Sequence, residues 1–197
     1  LKGVDQVIFV GGISPRLEGE ELPISVDGFR GGDRTTIALP EVQTELMKKM
    51  KEAGLPVIFV MMTGSALGIE WESQNIPAIL NAWYGGQFAG QAIADVLFGD
   101  YNPSGKLPVT FYRSDSDLPP FGAFSMANRT YRYFKGEALY PFGFGLSYTM
   151  FDYSVPQVVS GGKVGEPIKV SVKVKNIGKK NGDEVVQLYL SHEGVEK

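Results

Sequence analysis

Three glutamates, Glu18, Glu20 and Glu21, lie within one short segment near the start of the chain. They follow the apolar run Val4 to Val10, and loops at the carboxyl ends of strands in an open α/β sheet are where ligands bind. A carboxylic acid held near like charges and partly desolvated can stay protonated and donate its proton. A solvated acidic loop accounts for the same spacing, because surface loops commonly carry carboxylates. From spacing alone, the solvated loop is the interpretation we favour.

Other side chains that could do chemistry are scarce. The 197 residues include no cysteine and one histidine, His192. Disulfide frameworks, zinc-thiolate sites and sites built on two or more imidazoles are therefore excluded, and a Ser-His-Asp triad would have to use His192. We predict no metal and no cofactor, and we interpret His192 as a surface residue at the end of a half-exposed strand.

Two glycine-rich segments come close to known motifs without matching them. Gly11-Gly12 is not followed by G-x-G-x-x-G, and we expect no helix to start there, so dinucleotide binding is not favoured. The segment Gly64 to Gly68 misses the G-x-S-x-G nucleophile elbow. Both segments are predicted to be tight turns after strands. Trp83 and Tyr84 could form a sugar-stacking platform, and core packing explains them at least as well.

The overall charge and hydropathy exclude two classes of partner. The chain has 19 basic and 22 acidic side chains and a net charge of -3, whereas a dedicated nucleic-acid binder shows a clustered basic excess. The longest apolar run, Val57 to Met62, is far shorter than the roughly 20 residues of a membrane helix. The chain opens at Leu1 without a leader, so we expect a piece of a longer protein whose compartment this piece does not reveal.

The first hundred residues predict a layered α/β fold. Short apolar runs rich in Val, Ile and Phe are typical of strands buried on both faces of a parallel sheet, and amphipathic stretches between them are typical of helices. Proline near the first turn and glycine after the last strengthen the first helix. Alternating strands and helices predict a layered α/β/α sandwich. The predicted order is strand Val4 to Val10, helix Leu39 to Gly54, strand Pro56 to Thr63, strand Ala78 to Trp83 and helix Phe88 to Gly99.

Beyond Gly99 the pattern changes twice. Leu107, Val109 and Phe111 alternate as in a strand, and the aromatic-rich stretch Arg113 to Tyr148 predicts an ordered coil that packs on the α/β body. Alternation from Ile168 to Lys175 and a run from Val185 to Leu190 then predict the opening strands of an antiparallel sandwich. Only about three strands fit, whereas such a sandwich needs about seven. We therefore predict an α/β domain over residues 1–150 and an incomplete β domain over residues 151–197.

Three segments carry a family resemblance. They are Ala94 to Thr110 (ADVLFGDYNPSGKLPVT), Arg129 to Tyr133 (RTYRY) and Tyr140 to Thr149 (YPFGFGLSYT). They resemble the C-terminal region of glycoside hydrolase family 3, the β-glucosidases and β-xylosidases. The stretch Asn176 to Leu190 is similar to the start of the fibronectin type III domain that often follows in this family. One departure is Gly85, where the family usually has proline, and it affects a helix start rather than the chemistry.

The resemblance implies a retaining glycosidase. Such enzymes use an aspartate nucleophile on an N-terminal (β/α)8 barrel and a glutamate acid/base from the α/β sandwich domain that follows. Gly19-Glu20 resembles the Gly-Glu that carries the acid/base, with Asp33 and Arg34 closing the same loop, so the resemblance reverses our preference for a solvated loop. It assigns Glu20 as the catalytic residue. Glu18 is the alternative, because related β-xylosidases have two glutamates at this spacing.

The resemblance also implies substrates and partners. The expected reaction is hydrolysis of terminal β-linked glucose or xylose from oligosaccharides or aryl glycosides, in a site shared with the barrel of the same protein. The isolated chain is then expected to be inactive, and the family implies a secreted or periplasmic enzyme. The spacing from Glu20 to Asp33 is typical of β-xylosidase-like and bacterial polysaccharide-utilisation members. The alternative is a non-catalytic carbohydrate-binding or structural module in which the aromatic residues only make contacts.

Overall fold

A computed structural model describes residues 3–19, 22–159, 163 and 165–190 of the chain. Its strands and helices are short and follow one another in the mixed order that the sequence predicts. The strands are β1 (Val7–Gly12), β2 (Ser25–Val26), β3 (Phe29–Arg30), β4 (Asp33–Arg34), β5 (Val57–Met62), β6 (Ala78–Asn81), β7 (Phe151–Tyr153), β8 (Gln157–Val159), β9 (Lys169–Ser171) and β10 (Val174–Asn176). The helices are α1 (Pro15–Glu18), α2 (Glu41–Glu52), α3 (Glu70–Asn75), α4 (Ala89–Phe98) and α5 (Thr130–Tyr133), with a 3-10 turn at Asp115–Asp117.

A parallel sheet in the order β1-β5-β6 forms the centre of the fold. Ile58 of β5 pairs with Ile8 on one side and with Ala78 on the other. Because β5 has a strand on each side, four of its six residues are buried. Parallel neighbours need crossover connections, and α2 and α3 lie in these connections. The predicted α/β class, with a parallel sheet and flanking helices, is confirmed.

The two long helices begin and end close to where the sequence predicts. Pro40 precedes the first residue of α2, and Gly54 follows its end with a φ of +77°. Gly99 ends α4 in the left-handed conformation, with a φ of +81°. Left-handed backbone carries little steric cost for glycine, so these residues stop the helices where the pattern of apolar side chains stops.

Strand β1 differs from the prediction in both length and burial. It begins at Val7 rather than Val4, and Ile8 and Val10 are 46% and 58% exposed. Phe9 faces the opposite way and contacts Phe59, with 5.6 Å between ring centroids. The expected burial on both faces is therefore wrong for this strand. It is the outer strand of the sheet, and the described residues cover only its Phe9 face.

Three helices were not predicted: α1, α3 and the four-residue α5, which lies within the expected coil. Helix α1 starts directly after β1, where we expected none, because Ser14 caps it and Pro15 occupies its first position. Helix α3 is a single short helix between β5 and β6. Its six residues are too few for a periodic pattern. The sequence Ser14-Pro15 was the signal that could have predicted α1.

The aromatic-rich region packs on the α/β body as an ordered coil, as predicted, with exceptions. The expected strand from Leu107 to Phe111 is reduced to a bridge between Phe111 and Tyr140. Leu107 still exchanges backbone hydrogen bonds of 2.8 Å with Gly143 and Phe144, so the two segments run side by side without regular pairing. Phe121 and Phe124 are fully exposed, so these two side chains do not pack on the α/β body.

The residues after 150 form two small antiparallel pairs, β7 with β10 and β8 with β9. The predicted strand from Ile168 to Lys175 is interrupted between β9 and β10, and residues 185–190 form no strand. A two-stranded pair has only marginal stability on its own in water. His192 lies outside the described residues.

A substitution at Gly12 tests the closest backbone approach in the sheet. Gly12 has a φ of +120°, and a Cβ atom there would lie 1.9 Å from the carbonyl oxygen of Met62. Gly12→Ala is expected to lower the free energy of unfolding by more than about 2 kcal/mol. Gly90→Ala is the matched control, because nothing lies near its Cβ position in α4. It should raise the free energy of unfolding by about 0.5 kcal/mol, and equal denaturant midpoints for the two variants would contradict this account.

A second stability prediction concerns a buried carboxylate. Glu72 in α3 is buried and accepts a hydrogen bond of 2.5 Å from the hydroxyl of Thr44 in α2. Thr44→Val removes the donor and is expected to cost about 1 to 3 kcal/mol of unfolding free energy, measured by urea denaturation. The control Thr35→Val changes an exposed threonine and should leave stability nearly unchanged. An equally small effect at Thr44 would show that this bond contributes little.

Candidate active-site loop

The three strands of the parallel sheet end at one edge, and the loops that follow them meet there. The backbone N–H of Ile13 donates to the Met62 carbonyl at 2.9 Å, and that of Ala82 donates to Met61 at 2.8 Å. These bonds hold the first residues after β1 and β6 against the end of β5. Ligands of open α/β sheets bind at this edge.

Helix α1 carries the loop away from this edge in one turn. The Ser14 hydroxyl oxygen accepts a 3.2 Å hydrogen bond from the Leu17 N–H, and Gly19 ends the helix with a φ of +31°. A Cβ atom on Gly19 would lie 2.2 Å from the Cδ1 atom of Ile24, so a larger residue would displace this side chain and would also have to adopt a left-handed backbone that favours glycine. The Leu22 N–H then donates to the Gly19 carbonyl at 2.9 Å. Glu20 and Glu21 come between these two residues in the sequence and lie outside the described residues.

Glu18 is the one of the two candidate acids that the structure describes. Its Oε2 atom lies 3.1 Å from the hydroxyl of Tyr84, which also donates to the Ile13 carbonyl at 2.5 Å. Burial raises the pKa of Tyr84, and its hydrogen bond to Glu18 raises it further. The phenol therefore stays protonated at neutral pH and joins the loop after β1 to the segment after β6.

Arg34 anchors the far end of the same loop. Its guanidinium donates to Ser65 Oγ at 2.8 Å and to the carbonyls of Ala66 and Thr36 at 3.3 and 3.2 Å. Burial lowers the pKa of Arg34, while the charge of Glu18 acts against this shift. Sequence analysis placed Arg34 in the loop but gave no sign of its partners after β5, because they lie 31 and 32 residues away.

Asp115 extends this anchor to the coil that follows the α/β region. One carboxylate oxygen accepts from the Thr36 hydroxyl at 2.6 Å, and the other accepts from the Ile37 N–H at 2.7 Å. The loop that begins after β1 is thus held at its end by side chains from two distant parts of the chain.

The two aromatic residues after β6, Trp83 and Tyr84, have different surroundings. Trp83 packs against the core and meets Phe111 edge to face, with 6.2 Å between ring centroids. Core packing, one of the two interpretations of this residue, is therefore confirmed. Tyr84 points its hydroxyl at the candidate loop, and no sequence motif indicated that contact.

Gly64 to Gly68 forms the predicted turn after β5. The Thr63 hydroxyl donates to the Ser65 carbonyl at 2.8 Å and accepts from the Ser65 N–H at 3.2 Å.

Across the described ranges, no group of three or more acidic or histidine side chains is arranged to hold a metal ion. In the same part of the chain no helix is long and apolar enough to cross a bilayer.

The glycosyl hydrolase family 3 C-terminal domain matches residues 1–148 of the chain. The chain belongs to glycosyl hydrolase family 3. This confirms the resemblance drawn from the Ala94 to Thr110 and Tyr140 to Thr149 motifs. The similarity to a fibronectin type III start lies beyond the matched residues.

Relatives of this family 3 chain include enzymes with two named activities. It is 53% identical over 190 residues to the xylan 1,4-beta-xylosidase of Xylanibacter ruminicola, covering 96% of this chain and 22% of that protein. It is 42% identical over 174 residues to the periplasmic beta-glucosidase of Salmonella typhimurium, covering 80% of this chain and 22% of that protein.

A solved family structure shares the fold. The beta-D-glucoside glucohydrolase from Trichoderma reesei superposes with a TM-score of 0.77 at 27% identity, covering 91% of this chain and 29% of that chain. The present chain therefore spans between 22% and 29% of the length of these proteins.

The anchoring role of Arg34 predicts that lysine cannot replace it. Lysine presents a single ammonium group, which cannot reproduce the fork of donors toward Ser65, Ala66 and Thr36. Arg34→Lys is expected to lower the free energy of unfolding by about 1 to 3 kcal/mol, measured by urea denaturation. Arg30→Lys is the control, because Arg30 is exposed in the same loop, and it should change stability little. Comparable losses in both variants would argue against a specific anchor at Arg34.

Proposed function

We propose that this chain supplies the general acid/base of a retaining β-glycosidase whose nucleophile lies on an N-terminal (β/α)8 barrel of the same protein. The proposed acid/base is Glu20. Family membership and the names of the relatives support the reaction class, since they are β-xylosidases and β-glucosidases. No metal or cofactor is part of the proposal.

The observation that carries this proposal is the anchoring on both sides of Glu20. Before it, α1 ends at Gly19, a left-handed glycine at which a Cβ atom would displace the side chain of Ile24. After it, the Leu22 N–H bonds back to Gly19, and Arg34 anchors the end of the loop to the turn after β5. A loop that must deliver a carboxyl group across a domain interface gains from such anchoring, because catalysis depends on the position of the reacting groups.

The proposed mechanism has two steps. In the first, the barrel aspartate attacks the anomeric carbon while Glu20 donates its proton to the glycosidic oxygen, so the bond to the leaving group breaks and a glycosyl ester forms. In the second, the Glu20 carboxylate takes a proton from a water molecule that attacks the same carbon, and the aspartate is released. Retention of configuration requires the two carboxyl groups to lie about 5 to 5.5 Å apart.

For the substrate we propose terminal β-linked xylose or glucose on oligosaccharides or aryl glycosides. The 53% identity to a xylan 1,4-beta-xylosidase favours xylosides. A periplasmic relative supports a secreted or periplasmic location for the whole protein.

We also propose that the α/β domain ends near residue 150 and that residues 151–197 begin a fibronectin type III-like domain. The antiparallel pairs β7-β10 and β8-β9 support this division.

The test uses the full-length protein and aryl β-xylosides with good and poor leaving groups. Glu20→Gln should slow the poor leaving group by more than about 100-fold and spare glycosylation by the good one, because only the poor one needs protonation. Azide should restore part of the lost turnover. Glu21→Gln is the matched control and should retain both rates. Near-wild-type rates for Glu20→Gln on both substrates would rule out the proposed role.

A second candidate function is carbohydrate binding without catalysis. A hollow of about 490 Å³ lies on the aromatic coil, lined in part by Tyr131, Phe142 and Glu137, with Tyr131 stacked on Phe142 at 4.4 Å. Aromatic faces beside polar groups are suited to sugar rings. Calorimetry of the isolated chain with xylo-oligosaccharides tests this function, which predicts binding that Tyr131→Ala abolishes and Glu20→Gln leaves intact. Our leading proposal predicts at most weak binding and no turnover by the isolated chain.

A further inference from the structure

We infer that Glu18 is a positioning residue that holds the catalytic loop through Tyr84, and that it is not the proton donor; this inference rests on the proposed function of the loop. The family resemblance assigned Glu20 and kept Glu18 as the alternative, because related β-xylosidases have two glutamates at this spacing. In the structure, the contacts of Glu18 give it a role different from the one proposed for Glu20.

The carboxylate of Glu18 is turned toward its own domain. It is half-buried, and its Oε2 atom lies 3.1 Å from the Tyr84 hydroxyl and 3.5 Å from the position of a Cβ atom on Gly64. Gly64 and Tyr84 belong to the segments after β5 and β6. Glu18 is therefore engaged by the edge of the sheet, whereas a proton donor must reach a sugar held by another domain.

Tyr84 connects the two ends of the segment that leads to the loop. Its hydroxyl contacts the Ile13 carbonyl at 2.5 Å and the Glu18 carboxylate at 3.1 Å. Ile13 precedes Ser14 and Glu18 is the last residue of α1, so the two contacts of the phenol form a ring that encloses this single turn. A helix of four residues has little stability of its own. We expect this ring to determine whether the turn, and hence the start of the loop, keeps its place.

Gly64 makes room for the phenol. A Cβ atom at this position would lie 2.7 Å from the Tyr84 ring, which is closer than carbon atoms can approach without displacement. Gly64→Ala should therefore move Tyr84 away from the loop while leaving both hydrogen-bonding groups in the sequence. Gly64→Ala thus weakens the contact between Tyr84 and Glu18 without changing either of these residues.

The glutamate variants separate positioning from proton donation in the full-length enzyme. Glu18→Gln keeps an amide that can bond to Tyr84 but cannot act as the acid, so kcat/KM should stay within about threefold of wild type. Glu18→Ala and Tyr84→Phe should each lose about tenfold on good and poor leaving groups alike, without rescue by azide. The double variant should be no worse than Tyr84→Phe alone, because Tyr84→Phe already removes the contact with Glu18 along with the bond to Ile13.

Three outcomes overturn the inference. They are a loss in Glu18→Gln confined to poor leaving groups, rescue of Glu18→Ala by azide, and additive losses in the double variant. Glu20→Gln on the same substrates tests the proposed function separately. If Glu20→Gln is fully active while the Glu18 pattern holds, the acid/base assignment fails and the positioning role stands.

Limited proteolysis of the 197-residue chain alone tests the inference without a measurement of enzyme activity. Trypsin cleaves after Arg16, which is exposed within α1. Tyr84→Phe, Glu18→Ala and Gly64→Ala should each raise that cleavage rate about tenfold relative to Glu18→Gln and wild type. Tyr101→Phe is the matched control, since its hydroxyl lies 3.5 Å from Asp183 in another part of the chain. Equal rates in all variants would show that Tyr84 does not hold the turn.

Discussion

The close approach of Gly12 to Met62 is the constraint on which the candidate site depends. β1 and β5 pair in parallel from Val7 to Gly12, and the last pair brings the two backbones so close that only glycine fits. The next residue, Ile13, then bonds to the Met62 carbonyl. Because this contact determines where the chain leaves the sheet, every later residue of the loop takes its starting position from it.

The loop is held by polar contacts in addition to the apolar packing of Leu17, Ile24 and Phe29 on the core. Tyr84 and Glu18 hold its beginning, and Arg34 holds its end against the turn after β5. Each of these contacts joins residues from different crossover units of the α/β fold. Polar groups that are partly removed from water must find partners, and this requirement selects one arrangement of the loops among many. The sheet supplies rigidity, while these side chains supply the specific geometry.

Patterns of neighbouring residues in the sequence predicted the helix ends and the buried central strand. The ends of α2 followed from Pro40 and Gly54, and the burial of β5 followed from its unbroken apolar run. The exposure of Ile8 and Val10 could not be predicted in this way, because an apolar run looks the same in an inner and an outer strand. Burial depends on the neighbours of a strand, and periodicity contains no information about them.

The candidate site, too, could be predicted from the sequence only in part. The glutamates and the glycine between them are visible in the sequence, yet the contact between Glu18 and Tyr84 spans 66 residues. No spacing rule connects residues so far apart, and only the order β1-β5-β6 brings them to one edge. Neighbouring carboxylates differ in role when their surroundings differ, as the two acids of glycosidases do. In this domain the surroundings of Glu18 are its own tyrosine and glycine, and that is the physical basis for assigning it to the support of the loop.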